Sequence, residues 1–90
     1  MLFMVIEQFK DGNPEPIRAR FIRHGRMMPE GVIYRASWLD PAKVRCFQVM
    51  EAPDIHALME WTGRWADLID FEIAPVVTSQ EYWVNPSESH

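Results

Sequence analysis

The chain has 90 residues and a formal net charge of −4 at pH 7, and 48% of its residues are hydrophobic. That length and apolar content exclude intrinsic disorder and allow one domain with a modest core. Because dedicated nucleic-acid binders are usually basic, the acidic balance argues against that class. Cys46 is the only cysteine, so it cannot form an internal disulfide, which favours a reducing cytoplasm.

Residues 1–9 are predicted to form the first strand. Odd positions from Phe3 to Phe9 share one face, and Glu7 is the only charged residue among them. The opposite face is also mostly apolar, which is typical of a central strand. The apolar run has no basic residue before it and ends at Glu7, so we expect neither an export signal nor a membrane segment.

A turn at residues 10–13 and a helix after it are predicted from local chemistry. Asn13 can cap the helix, and Pro14 suits its first position, where a missing N–H costs nothing. Gly25 can end the helix in a left-handed conformation. Residues 32–39 and 44–51 alternate apolar and polar side chains around a short turn, and we interpret them as a hairpin of the second and third strands.

A second helix is predicted over residues 54–69, with Asp54 as its cap and apolar residues at three- and four-residue steps. Gly63 lies inside it at a cost of roughly 1 kcal/mol relative to alanine, either as a weak point or to admit a neighbouring backbone. Residues 70–78 are predicted as the fourth strand. Because Pro75 cannot donate to a ladder, that strand belongs at a sheet edge or is bulged.

The C-terminal end carries a short helix and a tail. Thr78 and Glu81 form a capping-box pattern that opens a helix bearing Tyr82 and Trp83. Residues 85–90 are predicted to be a flexible polar tail, so the predicted domain covers residues 1–84.

The predicted order of strands and helices defines a fold class. Strand, helix, strand, strand, helix, strand with right-handed crossovers is the ferredoxin-like α+β sandwich, with a four-stranded antiparallel sheet and two helices on one face. The first and third strands then lie in the centre. The other sheet face has no helix from this chain but keeps its apolar residues. We therefore expect a homodimer with C2 symmetry whose sheets face each other and can enclose a cavity.

Four segments carry a resemblance to a known family: residues 1–9 (MLFMVIEQF), 31–38 (GVIYRASW), 45–51 (RCFQVME) and 70–79 (DFEIAPVVTS). The chain resembles a bacterial family of small domains of unknown function, similar to the dimeric α/β-barrel superfamily of ferredoxin-like proteins. That superfamily includes cofactor-free monooxygenases, haem-degrading enzymes, isomerases and ligand binders. The resemblance implies a dimer with a cavity between its sheets, and it transfers no catalytic residue.

Six residues of the predicted strands are candidate ligand contacts, because an apolar pocket needs a few placed polar or aromatic groups. They are Glu7, Tyr34, Arg35, Ser37, Trp38 and Gln48. Strict alternation places Tyr34 and Trp38 on one face, where they can stack on a flat ligand. The alternatives are that Glu7 pairs with Arg35 to stabilise the sheet, and that the two aromatics are core or dimer contacts.

Three further side chains have the chemistry for catalysis. His24 and His56 are each able to act as a general base, but neither has a carboxylate at an orienting spacing, so helix-end or surface roles are favoured. Cys46 within a strand is typical of a small buried hydrophobe. The sequence has no paired metal-ligand spacing and no nucleotide-binding motif, so we predict no metal and no cofactor.

Four arginines, at positions 18, 20, 23 and 26, lie on or just after the first helix. They can hold an acidic partner, but their spread around the helix favours a solvated face. Trp61, Trp65 and Leu68 form a second apolar line on the other helix. They form either a wide core contact or a contact with Tyr82 and Trp83, or with a second subunit.

Three functions fit these observations. The first is a cytoplasmic homodimer that binds a small, largely apolar ligand between its sheets or in a cleft between helices and sheet. The second is an enzyme on the same frame, such as a cofactor-free oxygenase or isomerase, assisted by Glu7, Arg35 or His24. The third is a structural interaction module without a ligand. No nucleic acid or membrane is expected as a partner.

Overall fold

A computed structural model describes residues 1–84, and the predicted tail at residues 85–90 lies outside the described residues. The strands and helices, in chain order, are β1 (Leu2–Phe9), α1 (Glu15–His24), β2 (Ile33–Asp40), β3 (Arg45–Glu51), α2 (Ile55–Gly63), β4 (Ile69–Val76) and α3 (Ser79–Trp83). A single 3-10 turn, Lys10–Gly12, connects β1 to α1.

The four strands form one antiparallel sheet in the order β2-β3-β1-β4. This is the ferredoxin-like α+β fold predicted from the sequence, with β1 and β3 in the centre. Pro75 of β4 lies opposite Phe3 of β1, and β4 is an edge strand that pairs with β1 alone. The N–H that proline lacks is therefore not needed for hydrogen bonds to a second neighbouring strand.

The second strand departs from the predicted alternation. A bulge at Arg35 shifts the register between Tyr34 and Ala36, so that Tyr34 and Ser37 share the helix-facing side of the sheet. Trp38 points to the opposite side, where it pairs with Phe47. The prediction that Tyr34 and Trp38 share a face is therefore wrong, because one inserted residue inverts the alternation of every side chain after it.

The second helix is shorter than predicted. It ends at Gly63 rather than Ile69, and residues 64–68 form turns. Backbone N–H groups of Arg64, Trp65 and Leu68 each donate to a carbonyl three residues earlier. These tighter bonds let the chain reverse into β4 while Trp65 still faces the core.

The predicted side-chain caps of the second and third helices are confirmed. The cap predicted at Asn13 is one residue too early, because Pro14 is the N-cap of α1, although the Asn13 side chain accepts a hydrogen bond from the Glu15 N–H at 3.1 Å. The Asp54 carboxylate accepts a hydrogen bond from the Ala57 N–H at 2.9 Å, and the Thr78 hydroxyl accepts one from the Glu81 N–H at 3.0 Å. Gly25, with a φ of 67°, ends α1. Each side-chain cap satisfies a backbone donor that the first turn of a helix leaves free.

The core lies between the helices and one face of the sheet. Phe3, Val5, Met50, Leu58 and Trp61 are its largest fully buried side chains. In contrast, α1 contributes no buried residue, although its Ile17 packs against the core. The space between the helices and the sheet is therefore closely packed next to α2 and loosely packed next to α1.

Alanine substitutions at two glycines should have opposite effects on stability, because the two differ in backbone conformation and in the space around them. At Gly31, φ is +87° and an added Cβ would lie 3.1 Å from Pro53 Cγ, whereas an added Cβ at Gly63 meets nothing within 4 Å. We predict that Gly31→Ala lowers the free energy of unfolding by about 1–2 kcal/mol, from the positive φ alone. Gly63→Ala should raise it by about 0.5 kcal/mol.

Urea titration of both variants measures these effects. A stability loss in Gly63→Ala would mean that the glycine admits a neighbouring backbone, and an unchanged Gly31→Ala would contradict the strained turn.

Candidate functional site

A cleft of about 190 Å³ lies between the helix layer and the sheet. Its lining is mixed. The apolar walls include Phe9, Ile17, Phe21, Trp61 and Trp65, and the polar groups are Glu7, Arg26, Ser37, Cys46 and Gln48. A mostly apolar cavity with a few convergent polar groups is the usual form of a small-molecule site.

Strand register gathers the polar groups on the floor of the cleft. Glu7 of β1 lies opposite Cys46 of β3, and Gln48 lies opposite Ser37 of β2. All four are on the helix-facing side because side chains alternate along each strand and the bulge turns Ser37 inward. Three neighbouring strands thus contribute to one polar row.

Glu7 is the carboxyl group of this row. It is only 7% exposed, and burial raises the pKa of its carboxyl from 4.5 to about 7. The positive charge of Arg26 and a hydrogen bond with Cys46 lower the pKa, but by less than burial raises it. Glu7 can therefore exchange a proton near neutral pH.

The side chains around Glu7 are held by their neighbours. The Gln48 amide donates to Met50 Sδ at 3.1 Å, and the Cys46 thiol lies 4.0 Å from the Gln48 carbonyl oxygen. Burial, and the nearby Glu7 charge, raise the pKa of the Cys46 thiol to about 11. Cys46 is therefore a poor nucleophile and acts as a packed thiol.

The backbone of Arg26 is held in place by hydrogen bonds from neighbouring side chains. Its carbonyl oxygen accepts hydrogen bonds from the indole N–H of Trp61 at 2.9 Å and of Trp65 at 3.0 Å. The next carbonyl, of Met27, accepts one from Arg64 at 2.6 Å. The two tryptophans and Arg64 therefore hold the loop after α1 against the end of α2.

The Arg26 side chain extends from this loop across two aromatic rings. Its guanidinium carbon lies 3.6 Å from the centroid of the Tyr34 ring and 5.2 Å from that of Phe21. The Tyr34 hydroxyl is hydrogen-bonded to Ser37 Oγ at 2.7 Å, which links the stacked ring to the cleft floor. Cation–π contact orients the guanidinium beside the cleft.

The six predicted ligand contacts separate into two groups. Glu7, Ser37 and Gln48 line the cleft, and Tyr34 supports it through Ser37 and Arg26. Arg35 forms an ion pair with Glu51 instead of Glu7, and Trp38 is on the other sheet face. The Glu7–Arg35 pair, which was one of the alternatives to ligand binding, is therefore not formed.

Sequence reasoning did not assign Arg26, Phe21, Trp61 and Trp65 to this site. Trp61 and Trp65 form the wide core contact that was one of the two interpretations. Arg26 was grouped with three helix arginines as a solvated face, yet it stacks on rings. Its position after Gly25, outside the helix, was the one available signal that it differs from the other three.

The remaining candidates lie away from the cleft. His24 lines a separate surface cavity with Pro16 and Leu68, and His56 is exposed in the first turn of α2. Arg20 of α1 binds Asp67 through two bonds of 2.7 and 2.6 Å. Within residues 1–84, no cluster of three potential metal ligands occurs, and no helix is long and apolar enough to span a membrane.

A larger cavity of about 470 Å³ lies at the far end of the central strands, beside Met1, Pro75 and Val77. Its two carboxylates already have partners: Glu51 pairs with Arg35, and Glu81 takes part in the α3 cap with Thr78. The smaller cleft is the better candidate because its carboxylate is buried and titrates near neutrality.

Fold and site together define a ferredoxin-like α+β protein with one polar, aromatic-walled cleft between helices and sheet. The chain belongs to a family described as a domain of unknown function (DUF3303), whose sequence pattern matches residues 1–84. Comparisons with curated proteins and with solved structures return no match.

The raised pKa of Glu7 predicts a pH-dependent stability. Because the folded state binds this proton more tightly than the unfolded chain, the stabilisation is fully present below about pH 4.5. It is lost as pH rises through about 7. Glu7→Gln keeps the shape without the charge. We predict that its stability relative to the unmodified protein increases by up to about 3 kcal/mol between pH 4.5 and 8.

Unfolding in urea at several pH values measures this difference. Glu30→Gln, at an exposed position, is the matched control and should follow the unmodified protein throughout. A Glu7→Gln difference that does not change with pH would contradict the buried, protonated carboxyl.

Proposed function

We propose that this protein binds a small, largely apolar molecule in the cleft between its helices and sheet. The observation that carries the proposal is a carboxyl group, Glu7, buried in the central strand and facing a cavity. Burying a carboxyl without an arginine or lysine in direct contact costs free energy. A fold retains such a group more readily where it serves a ligand than where it only fills a core.

The size of the cleft limits the ligand. An engineered apolar cavity of about 150 Å³ accepts benzene. At about 190 Å³, this cleft suits one ring with one or two substituents. Its walls of Phe9, Trp61 and Trp65 favour a flat or apolar body, and its polar row favours one or two hydrogen-bonding groups.

We further propose that two copies pair through the open faces of their sheets. Leu2, Met4, Ile6, Phe47 and Val49 lie on that face and are only partly buried in the single chain, and Trp38 beside them is 60% exposed. A contiguous apolar patch of this kind is unusual on a monomer. The pairing leaves the cleft free, because the cleft is on the opposite side of the sheet.

The cellular compartment is also a proposal. A free, buried Cys46 fits a reducing compartment such as the cytoplasm, where thiols remain unpaired.

Proton-transfer catalysis is the second candidate function. A carboxyl with a pKa of about 7 inside a cavity is suited to act as a general base or acid, as an isomerase requires. Of the three residues considered for this role, Glu7 alone lines the cleft, since Arg35 is paired elsewhere and His24 is exposed. The third candidate function is a structural module without a ligand, and it does not explain why Glu7 is buried.

We predict that p-cresol, a single ring with one hydroxyl, binds in the cleft. The indole N–H signals of Trp61 and Trp65 should shift in NMR spectra during titration, because both rings line the cleft. Leu39→Trp, at an exposed position on the cleft rim, should weaken binding at least tenfold by blocking entry.

Ile22→Trp is the matched control, since Ile22 of α1 is similarly exposed and does not line the cleft. Equal binding by both variants would place the ligand elsewhere and contradict the proposed site. In deuterated solvent, a binder leaves the carbon-bound hydrogens of its ligand unchanged, whereas a proton-transfer enzyme exchanges carbon-bound hydrogens in a manner that Glu7→Gln abolishes.

The proposed dimer is tested by one substitution on the open sheet face. Trp38→Glu introduces a charge into the expected interface without touching the core, so native mass spectrometry should find a dimer for the unmodified protein and a monomer for the variant. Ile22→Glu, on the helix side, should remain dimeric. A monomeric unmodified protein at micromolar concentration would contradict the sheet-to-sheet pairing.

A further inference from the structure

We infer that the ligand of this cleft is a small cyclic carboxylate whose anionic end binds Arg26 and whose opposite end donates a hydrogen bond to Glu7. This inference rests on the proposed function and adds the chemical class of the ligand. It depends on three features of the cleft: the free edge of the Arg26 guanidinium, the fixed position of its backbone, and the placement of Arg26 and Glu7 around one cavity.

The guanidinium of Arg26 differs from those of the four arginines that form ion pairs, and it is half buried whereas Arg18 and Arg23 are exposed. Arg20, Arg35, Arg45 and Arg64 each pair with a carboxylate. Arg26 is half buried, yet within residues 1–84 it has no acidic residue in ion-pair contact. Its guanidinium lies over the faces of two aromatic rings, Phe21 and Tyr34. Ring stacking uses the flat face of a guanidinium and leaves its N–H edge available for a bidentate carboxylate.

The backbone of Arg26 is already in place before any ligand arrives. Two indole N–H groups bind its carbonyl oxygen, and Arg64 binds the carbonyl of Met27. The side chain then rests on Tyr34, which is itself hydrogen-bonded to Ser37. A cation held in this way loses little conformational freedom on binding, which is the usual basis of preorganised recognition.

Arg26 and Glu7 line the same cavity without forming a direct ion pair. The charge of Arg26 nevertheless lowers the pKa of Glu7, so the two groups interact electrostatically. A ligand that places an anion at Arg26 and an O–H or N–H at Glu7 satisfies both groups. Its body lies against the apolar walls formed by Phe9, Trp61 and Trp65.

The preference of the cleft for an anionic ligand has to arise locally, because the chain as a whole is acidic, with a net charge of −4. Long-range attraction would not favour an anionic ligand, so the preference for a carboxylate depends on the local donor edge of Arg26. Arg18, exposed on α1, shares its charge but not its stacked, cleft-lining position, which makes it the matched control.

Three single-ring probes test the inference by NMR titration at pH 8: 4-hydroxybenzoate, p-cresol and benzoate. The first has the anion and the donor, the second replaces the carboxylate with a methyl group, and the third lacks the hydroxyl. We expect 4-hydroxybenzoate to bind at least tenfold more tightly than either of the others, because charge-assisted hydrogen bonds are the stronger ones.

Variants then assign the preference to Arg26. In Arg26→Gln, the advantage of 4-hydroxybenzoate over p-cresol should fall below about threefold, and Arg18→Gln should retain the full preference. Arg26→Lys should recover only part of it, because an ammonium group lacks the planar donor edge. If Arg26→Gln fails to fold, the ranking of the three probes with the unmodified protein decides the question alone.

The possible failures are distinguishable. Equal affinity for 4-hydroxybenzoate and p-cresol, or an unchanged preference in Arg26→Gln, would overturn the carboxylate inference while leaving a ligand-binding cleft. Absence of any shift at Trp61 and Trp65 with all three probes at millimolar concentration would overturn the cleft as a site, and the inference with it.

Discussion

The hydrogen bonds that two tryptophan indoles donate to the carbonyl of Arg26 are the constraint on which the cleft depends. The first helix buries no residue of its own, so the sheet does not hold it by extensive packing. Trp61 and Trp65 instead fix the loop that follows it. Each such bond contributes about 1 kcal/mol net. Together they hold the backbone of Arg26 in place after α1 ends at Gly25.

This constraint explains why a cavity persists beside a well-packed core. On the α2 side, Leu58 and Trp61 are fully buried within the core cluster. On the α1 side, Ile17 and Phe21 reach toward the sheet without filling the space above Glu7 and Cys46. A close-packed interior would normally remove such a void. Here the polar floor makes collapse costly, because a buried carboxyl needs either a partner or some access to water.

The two faces of the sheet therefore present different surfaces. The helix-facing side holds the cleft with the buried Glu7 and Cys46 on its floor, and the open side has partly buried apolar residues, among them Ile6, Phe47 and Val49, at its centre. A ligand in the cleft and a second copy on the open face would not compete for the same residues. The bulge at Arg35 makes this division possible, because it turns Ser37 toward the cleft and Trp38 toward the open side.

The sequence by itself determined the order of the elements, the caps at Asp54 and Thr78, and the edge position of the strand with Pro75. These follow from local rules: hydrophobic period, capping chemistry and the missing N–H of proline. It also indicated Glu7, Ser37 and Gln48 as polar groups within strands. Only the tertiary structure decided that they meet, since their strands are joined through pairing rather than through neighbouring positions in the chain. The bulge at Arg35 and the turn after Gly63 had no clear local signal, because each satisfies hydrogen bonds and packing that exist only in the folded chain. The role of Arg26 depends on Tyr34, Trp61 and Trp65, which lie 8 to 39 residues away, and no pattern within one segment contains that information.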